Sequence, residues 1–195
     1  MSITTVTPPA GFPVTLQEVK RRLNIEAPEA DEDLLFLIGA GVEAVEGMTW
    51  RPMVQRTVEW THDRFPAWFV PPLHPVQSVD DITYLDEAGA QQTLAADQYR
   101  FSAGGDRGPA RITPSYNVAW PATYPVVDAV TVRMTVGWAA DGSDLGANVW
   151  RDLKLGLIAL VGHWHRLRTP VNVGNIVNEI PHYLELSLKA NRLQV

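Results

Sequence analysis

Apolar residues recur at every third or fourth position near both ends of the chain, and at every second position in its middle. In "TLQEVKRRL", Leu16, Val19 and Leu23 fall on one helical face, and Thr15 with Glu18 three residues later predicts a capping box. A second helix is predicted from about Asp31 to Met48. Its stripe is Leu34, Leu37, Ile38, Val42 and Val45, with Gly41 on the same side. Asp31, Glu32 and Asp33 sit in its first turn, where carboxylates favour the positive end of the helix dipole. Gly39 and Gly41 each weaken a lone helix by roughly 1 kcal/mol, so the pattern predicts a neighbouring helix packed closely enough to need them.

The period changes after Arg51. "VQRTVEW" alternates, with Val54, Val58 and Trp60 on one face. "VDDITYLDEAGAQQTL" reads as two strands joined through Glu87-Ala88-Gly89, and "QYRF", "ARIT" and "AVTVRMTVGW" read as further strands. "PPLHP" and "WPATYP" are placed outside the sheet, because proline has no N–H to donate. Helical spacing returns in "NVWRDLKLGLIALVGHWHRLR". Leu153, Leu157, Leu160, Val161 and Trp164 form its stripe, Leu155 and Ile158 widen it, and Asn148 is its expected cap. Thr169-Pro170 ends this helix, and Pro181 suits the first turn of a last short one. The predicted fold class is α+β. A helical domain is built from residues 14–50 and 148–195, an antiparallel β domain is inserted over 51–147, and residues 1–13 form a mobile or partner-dependent arm.

The chain has 195 residues, is 46% apolar and carries a net charge of −6, which suits a globular core and disfavours wrapping DNA phosphates. Without cysteine, disulfides and thiolate metal sites are excluded. No apolar run is long enough for a membrane span, and "MSITTVTPPAGFP" lacks the features of a signal peptide.

Candidate chemistry is sparse. His163 and His165 flank Trp164, but helical residues two apart point about 200° away from each other, so they do not ligate one metal. "SAGGDRGPA" lacks the Lys-Ser/Thr ending of a phosphate loop and reads as a hairpin loop. "DGSD", 141–144, lacks the ligand ladder of a calcium loop and reads as a turn. His62-Asp63 is a neighbouring pair with no nucleophile elbow to serve. No catalytic, cofactor-binding or metal-ligating residues are assigned. Trp50, Trp60 and Trp164 are placed in the core. Trp68, Trp120 and Trp138 stand beside Pro or Gly in loop-like contexts and suit an interface.

The order "PVTLQEVKRRLNI", "DEDLLFLIGAGVEAVEGMTWRPM", Pro-rich strands, "LGLIALVGHWHRLR" and "IPHYLELSL" resembles the head–tail connector (adaptor) proteins of long-tailed bacteriophages and gene transfer agents. The likeness runs from Val14 almost to the end. It rests on packing motifs, and the β segment is longer than in the smallest adaptors. The resemblance implies a non-enzymatic structural protein made in the bacterial cytoplasm and housed in the virion neck. There it forms a ring of itself, usually twelve copies, beneath the portal protein. A stopper or tail-terminator protein lies on the other side, and genomic DNA passes through the channel without specific binding. Membrane and cofactors have no part in it.

Within that picture Trp68 and Trp120 are the ring-interface candidates. Tyr183, Leu186, Arg192, Leu193 and Val195 are the portal-interface candidates, on a C-terminal segment expected to fray in solution and order on binding. Two rival readings remain: a β domain that holds a carbohydrate or host surface, and a metal-dependent hydrolase.

Overall fold

In a computed structural model of the chain, residues 2–105, 108–166 and 191–192 are described. The chain is α+β. Its helices are α1 (Leu16–Leu23), α2 (Asp31–Thr49) and α3 (Arg151–Arg166). Its strands are β1 (Ile3–Thr7), β2 (Arg56–His62), β3 (Val76–Leu85), β4 (Gln91–Thr93), β5 (Tyr99–Ser102), β6 (Arg111–Pro114) and β7 (Val130–Val136). The described residues divide into two compact units: a β unit from 2–10 and 55–138, and a helical unit from 11–54, 139–166 and 191–192.

The β unit holds a five-stranded sheet in the order β1-β2-β7-β3-β4 and a two-stranded sheet of β5 and β6, every pairing antiparallel. β7 shows why the sheet has two faces. Val130, Val132, Met134 and Val136 alternate into the core with Val58, Trp60, Phe69 and Ile82, while Thr131, Arg133 and Thr135 point the other way. On that second face Arg133 lies between its cross-strand neighbours Glu59 and Asp81, at 2.6 and 3.6 Å. The β3–β4 connection is tied by the Asp86 carboxylate, which accepts from the Ala88 and Ala90 amides and the Gln92 side chain. Gly89 supplies the positive φ of that turn. "PPLHP" and "WPATYP" both lie outside the strands.

Two expectations about this unit change. Residues 3–7 are not a free arm: they form an edge strand, with Ile3 opposite Trp60 and Thr5 opposite Val58. All five are exposed, so no buried–exposed alternation marked them as a strand. Val54 does not share a strand face with Val58 and Trp60, because β2 begins at Arg56 and Val54 is buried in the helical unit.

In the helical unit the Thr15 hydroxyl accepts from the Glu18 amide at 3.1 Å, the first half of the expected box. The Glu18 carboxylate turns instead to Lys154 on α3, at 3.5 Å. α2 buries Leu34, Ile38, Gly41, Val42 and Val45. A Cβ on Gly41 would sit 2.7 Å from Leu157 Cδ1 and 3.3 Å from Val161 Cγ2, so Gly41 sets the α2–α3 approach. Gly162 does the same for α1, since its Cβ would lie 2.6 Å from Leu23 Cδ2. Gly39 instead faces the Phe12 ring. Asn148 does not cap α3. Its amide donates to the Ala139 carbonyl at 2.8 Å, and the helix begins three residues later.

Candidate assembly surfaces

His163 and His165 both lie on α3. His165 Nδ1 lies 3.3 Å from an Asp33 carboxylate oxygen, joining the end of α3 to the start of α2. Among the described residues no cluster of three or more His, Asp or Glu is arranged to hold a metal ion. His62 packs edge-on against Trp60 and Phe69, with ring centroids at 4.2 and 5.1 Å. Burial pushes its pKa below the ordinary histidine value, against a weaker opposing pull from Asp63. Asp63 accepts the Asp128 amide at 3.0 Å, so the two neighbours do not work as a dyad. His74 is fully buried, and its Nε2–H donates to the Gly105 carbonyl at 2.9 Å, fastening the β5–β6 loop. "DGSD" is a tight turn in which Asp141 and Asp144 exchange backbone hydrogen bonds. No described helix is long and apolar enough to cross a membrane.

The tryptophans redistribute. Trp60 is buried as expected. Trp138, expected at an interface, is 8% exposed, because it directly follows the β7 run and its closing Gly137. Trp50, expected in the core, is 41% exposed, because α2 ends on it in a left-handed conformation that swings it out of the helix stripe. Trp120 does find core packing. It stacks on Phe65 with centroids 5.0 Å apart, meets Phe69 edge-on at 5.7 Å, and donates weakly to the Ala67 carbonyl at 3.4 Å. Its loop folds back on the sheet core, where Trp120 is partly buried. Trp68 is 58% exposed.

Of the portal-interface candidates, Tyr183, Leu186, Leu193 and Val195 lie outside the described residues, and Arg192 is exposed. Asn191, in the segment expected to fray, is buried. Its carbonyl accepts from Arg51 Nε at 2.7 Å, and its amide donates to Asp152 at 2.6 Å. The chain is therefore held to the helical unit at this point.

Two features of the helical surface went unassigned in the sequence. The first is on α2. Five consecutive apolar residues, 34–38, wrap more than one helical turn, so one packed face cannot take them all. Leu34 and Ile38 go in, while Phe36 is left 74% exposed with Leu35 beside it. Glu32, Phe36, Ala40 and Glu43 follow one another at helical spacing along this outer side. Glu32 and Glu43 have no ion-pair partner among the described residues. The second feature is a groove of about 710 Å³ between α1 and α3, lined by Glu18, Arg21, Arg22, Arg151, Lys154, Leu155 and Ile158. Leu155, expected to widen the buried stripe, is 50% exposed here. The Glu18–Lys154 pair joins the walls. Arg21, Arg22 and Arg151 remain without acidic partners among the described residues. Arg151 opens α3 at the end where the helix dipole disfavours a cation, and that placement was a readable signal that the charge serves something other than the helix.

No family model matches this sequence, and no curated protein matches it. Solved structures do. A chain in the neck of an empty gene transfer agent (GTA) particle, computed with C6 symmetry, shares 21% identity at a TM-score of 0.78, over 100% of this chain and 97% of that one. A chain in the virion of a native GTA particle matches with the same identity, coverage and TM-score. A chain in the neck of a native GTA particle, computed with C12 symmetry, matches at a TM-score of 0.72. The protein thus has, over its whole length, the fold of a chain found in GTA particles.

Proposed function

We propose that the protein is a structural component of the neck of a phage-like particle, and that it acts as the adaptor between head and tail. The observation that carries this reading is the likeness to a chain of the GTA neck, which extends over 100% of this chain and 97% of that one. Necks computed with C6 and C12 symmetry are both compatible with twelve copies around one axis, which favours a twelve-membered ring here. The ring would sit beneath the portal, with a stopper or tail-terminator protein beyond it. An acidic chain lining that channel would let DNA slide, because few cations are offered to the phosphates. The work done is assembly rather than catalysis.

The C-terminal segment from Ile180 onward remains our candidate for portal contact, with Asn191 as its anchor on the helical unit. A truncation that spares that anchor ends after Arg192. We expect it to keep the fold by circular dichroism and to lose binding to purified portal. The wider reading is tested by deleting the gene: DNA-filled heads should accumulate without attached tails, and normal yields of joined particles would refute the adaptor role.

A further inference from the structure

The two unassigned surfaces of the helical unit are complementary in shape and in charge. One is a ridge: Phe36 stands proud of α2, with carboxylates at Glu32 and Glu43 along the same line that have no ion-pair partner among the described residues. The other is a groove lined by apolar Leu155 and Ile158, and by Arg21, Arg22 and Arg151, whose guanidinium groups have no acidic partner among the described residues. A solvated Phe36 carries unburied apolar area that a partner can take from water. Uncompensated charges of opposite sign on the two surfaces would guide that partner and fix its register.

The surfaces cannot meet within one molecule. On α2, Phe36 lies about 140° around the helix from Gly41, which faces α3. On α3, Leu155 lies about 160° around from Leu157, which faces α2. Ridge and groove therefore open in opposed directions, and only a second molecule can bring one to the other. A contact that uses two different patches is head-to-tail. Repeated from copy to copy it closes a ring if the rotation allows, whereas a contact of one patch with itself stops at a dimer.

We infer that the Glu32–Phe36–Glu43 ridge of one copy seats in the Arg21–Arg151–Leu155 groove of the next, and that this is the ring contact. Phe36 covers Leu155 and Ile158, and Glu32 and Glu43 meet the arginines. The inference rests on the neck reading for its setting, and adds which residues join neighbouring copies.

The chain has no cysteine, so introduced ones report without background. Particles are purified from cells carrying Phe36→Cys and Leu155→Cys together in the full-length protein, and from cells carrying either change alone, and are then oxidised mildly. The double variant should give a ladder of covalent multimers on non-reducing gels, extending past the dimer. Each single variant should give dimers at most. Particles that contain the double variant but show no more cross-linking than the single variants overturn the contact and leave the neck reading standing. Absence of the wild-type chain from purified particles overturns the neck reading and this contact with it. As a second measurement that survives poor cysteine geometry, Phe36→Glu should abolish incorporation into particles while the free protein keeps its melting temperature. Normal incorporation of Phe36→Glu sinks the proposal.

Discussion

In the β unit, Phe65, Phe69, Trp120 and Tyr84 meet edge and face at 5.0–6.1 Å, so these four rings cover one another. In the helical unit, Phe36 is 74% exposed and Leu155 50% exposed. The difference comes from geometry. A strand offers alternate residues to one face, and a loop such as 120–125 can fold its aromatic back onto that face. A helix that carries apolar residues on consecutive positions has no such recourse, because its packed face takes up only part of its circumference. The β unit therefore closes its ring cluster while leaving Trp68 and Tyr116 exposed in its loops, and the helical unit leaves Phe36 and Leu155 exposed on regular helices.

The sharpest way to break this comparison is to truncate one phenylalanine in each unit. Phe69 is fully buried at the centre of the ring cluster, and Phe69→Ala should lower unfolding free energy by about 3–5 kcal/mol. Phe36→Ala should change it by less than about 0.5 kcal/mol, as surface changes do. Urea unfolding followed by tryptophan fluorescence measures both. If Phe36→Ala proves as damaging as Phe69→Ala, the helical unit is using that ring for its own stability, and the contrast between the units collapses.

The two sides of α2 provide a smaller test. Gly41→Val puts new carbon against Leu157 and Val161, and overpacking of this kind costs about 1–3 kcal/mol. Gly47 has no atom within 4 Å of the position its Cβ would take, so Gly47→Ala should stabilise the helix by up to about 1 kcal/mol. Opposite signs for two glycines six residues apart would locate the packed and open sides of α2 without reference to assembly. Equal signs would mean that the α2–α3 approach is looser than the close contact at Gly41 implies.

The inward faces were legible in the sequence. Leu34, Ile38, Val42, Val45, Leu153, Leu157 and the alternating β7 valines all follow from period alone, and Gly41 announced a close helix contact. The outward features were not. β1 has no buried position and so no pattern. Trp138 stands beside Gly137 but is buried just beyond β7, and Trp50 leaves the core because α2 ends on it in a left-handed conformation. The groove combines residues from α1 and α3 that are about 130 positions apart in the chain, so no local spacing could assemble it. Its trace in the sequence was Arg151 at an unfavourable helix end, together with a leucine left over from the α3 stripe.

The smallest expected effect concerns pH, and it again separates the two units. His62 lies in the β unit's ring cluster, where burial holds its pKa below 6.5, and its Nε2 has no hydrogen-bond partner among the described residues. The unfolded chain therefore binds a proton at this site more readily than the folded one. Its contribution to stability is complete above the unfolded pKa, near 6.5. It declines as pH falls from there to the lower folded pKa, and stays constant below that. The chain has five histidines in all, so the wild-type slope alone would not isolate this one. The difference between wild type and His62→Phe isolates one of them. Urea midpoints measured from pH 7.5 to 5.0 should fall more steeply for the wild type than for the variant, and the excess should begin near pH 6.5. Because the imidazole is only partly buried, the effect should be small compared with Phe69→Ala. Parallel slopes would mean that water reaches the His62 ring freely, and that the inward packing of the β unit stops short of this residue.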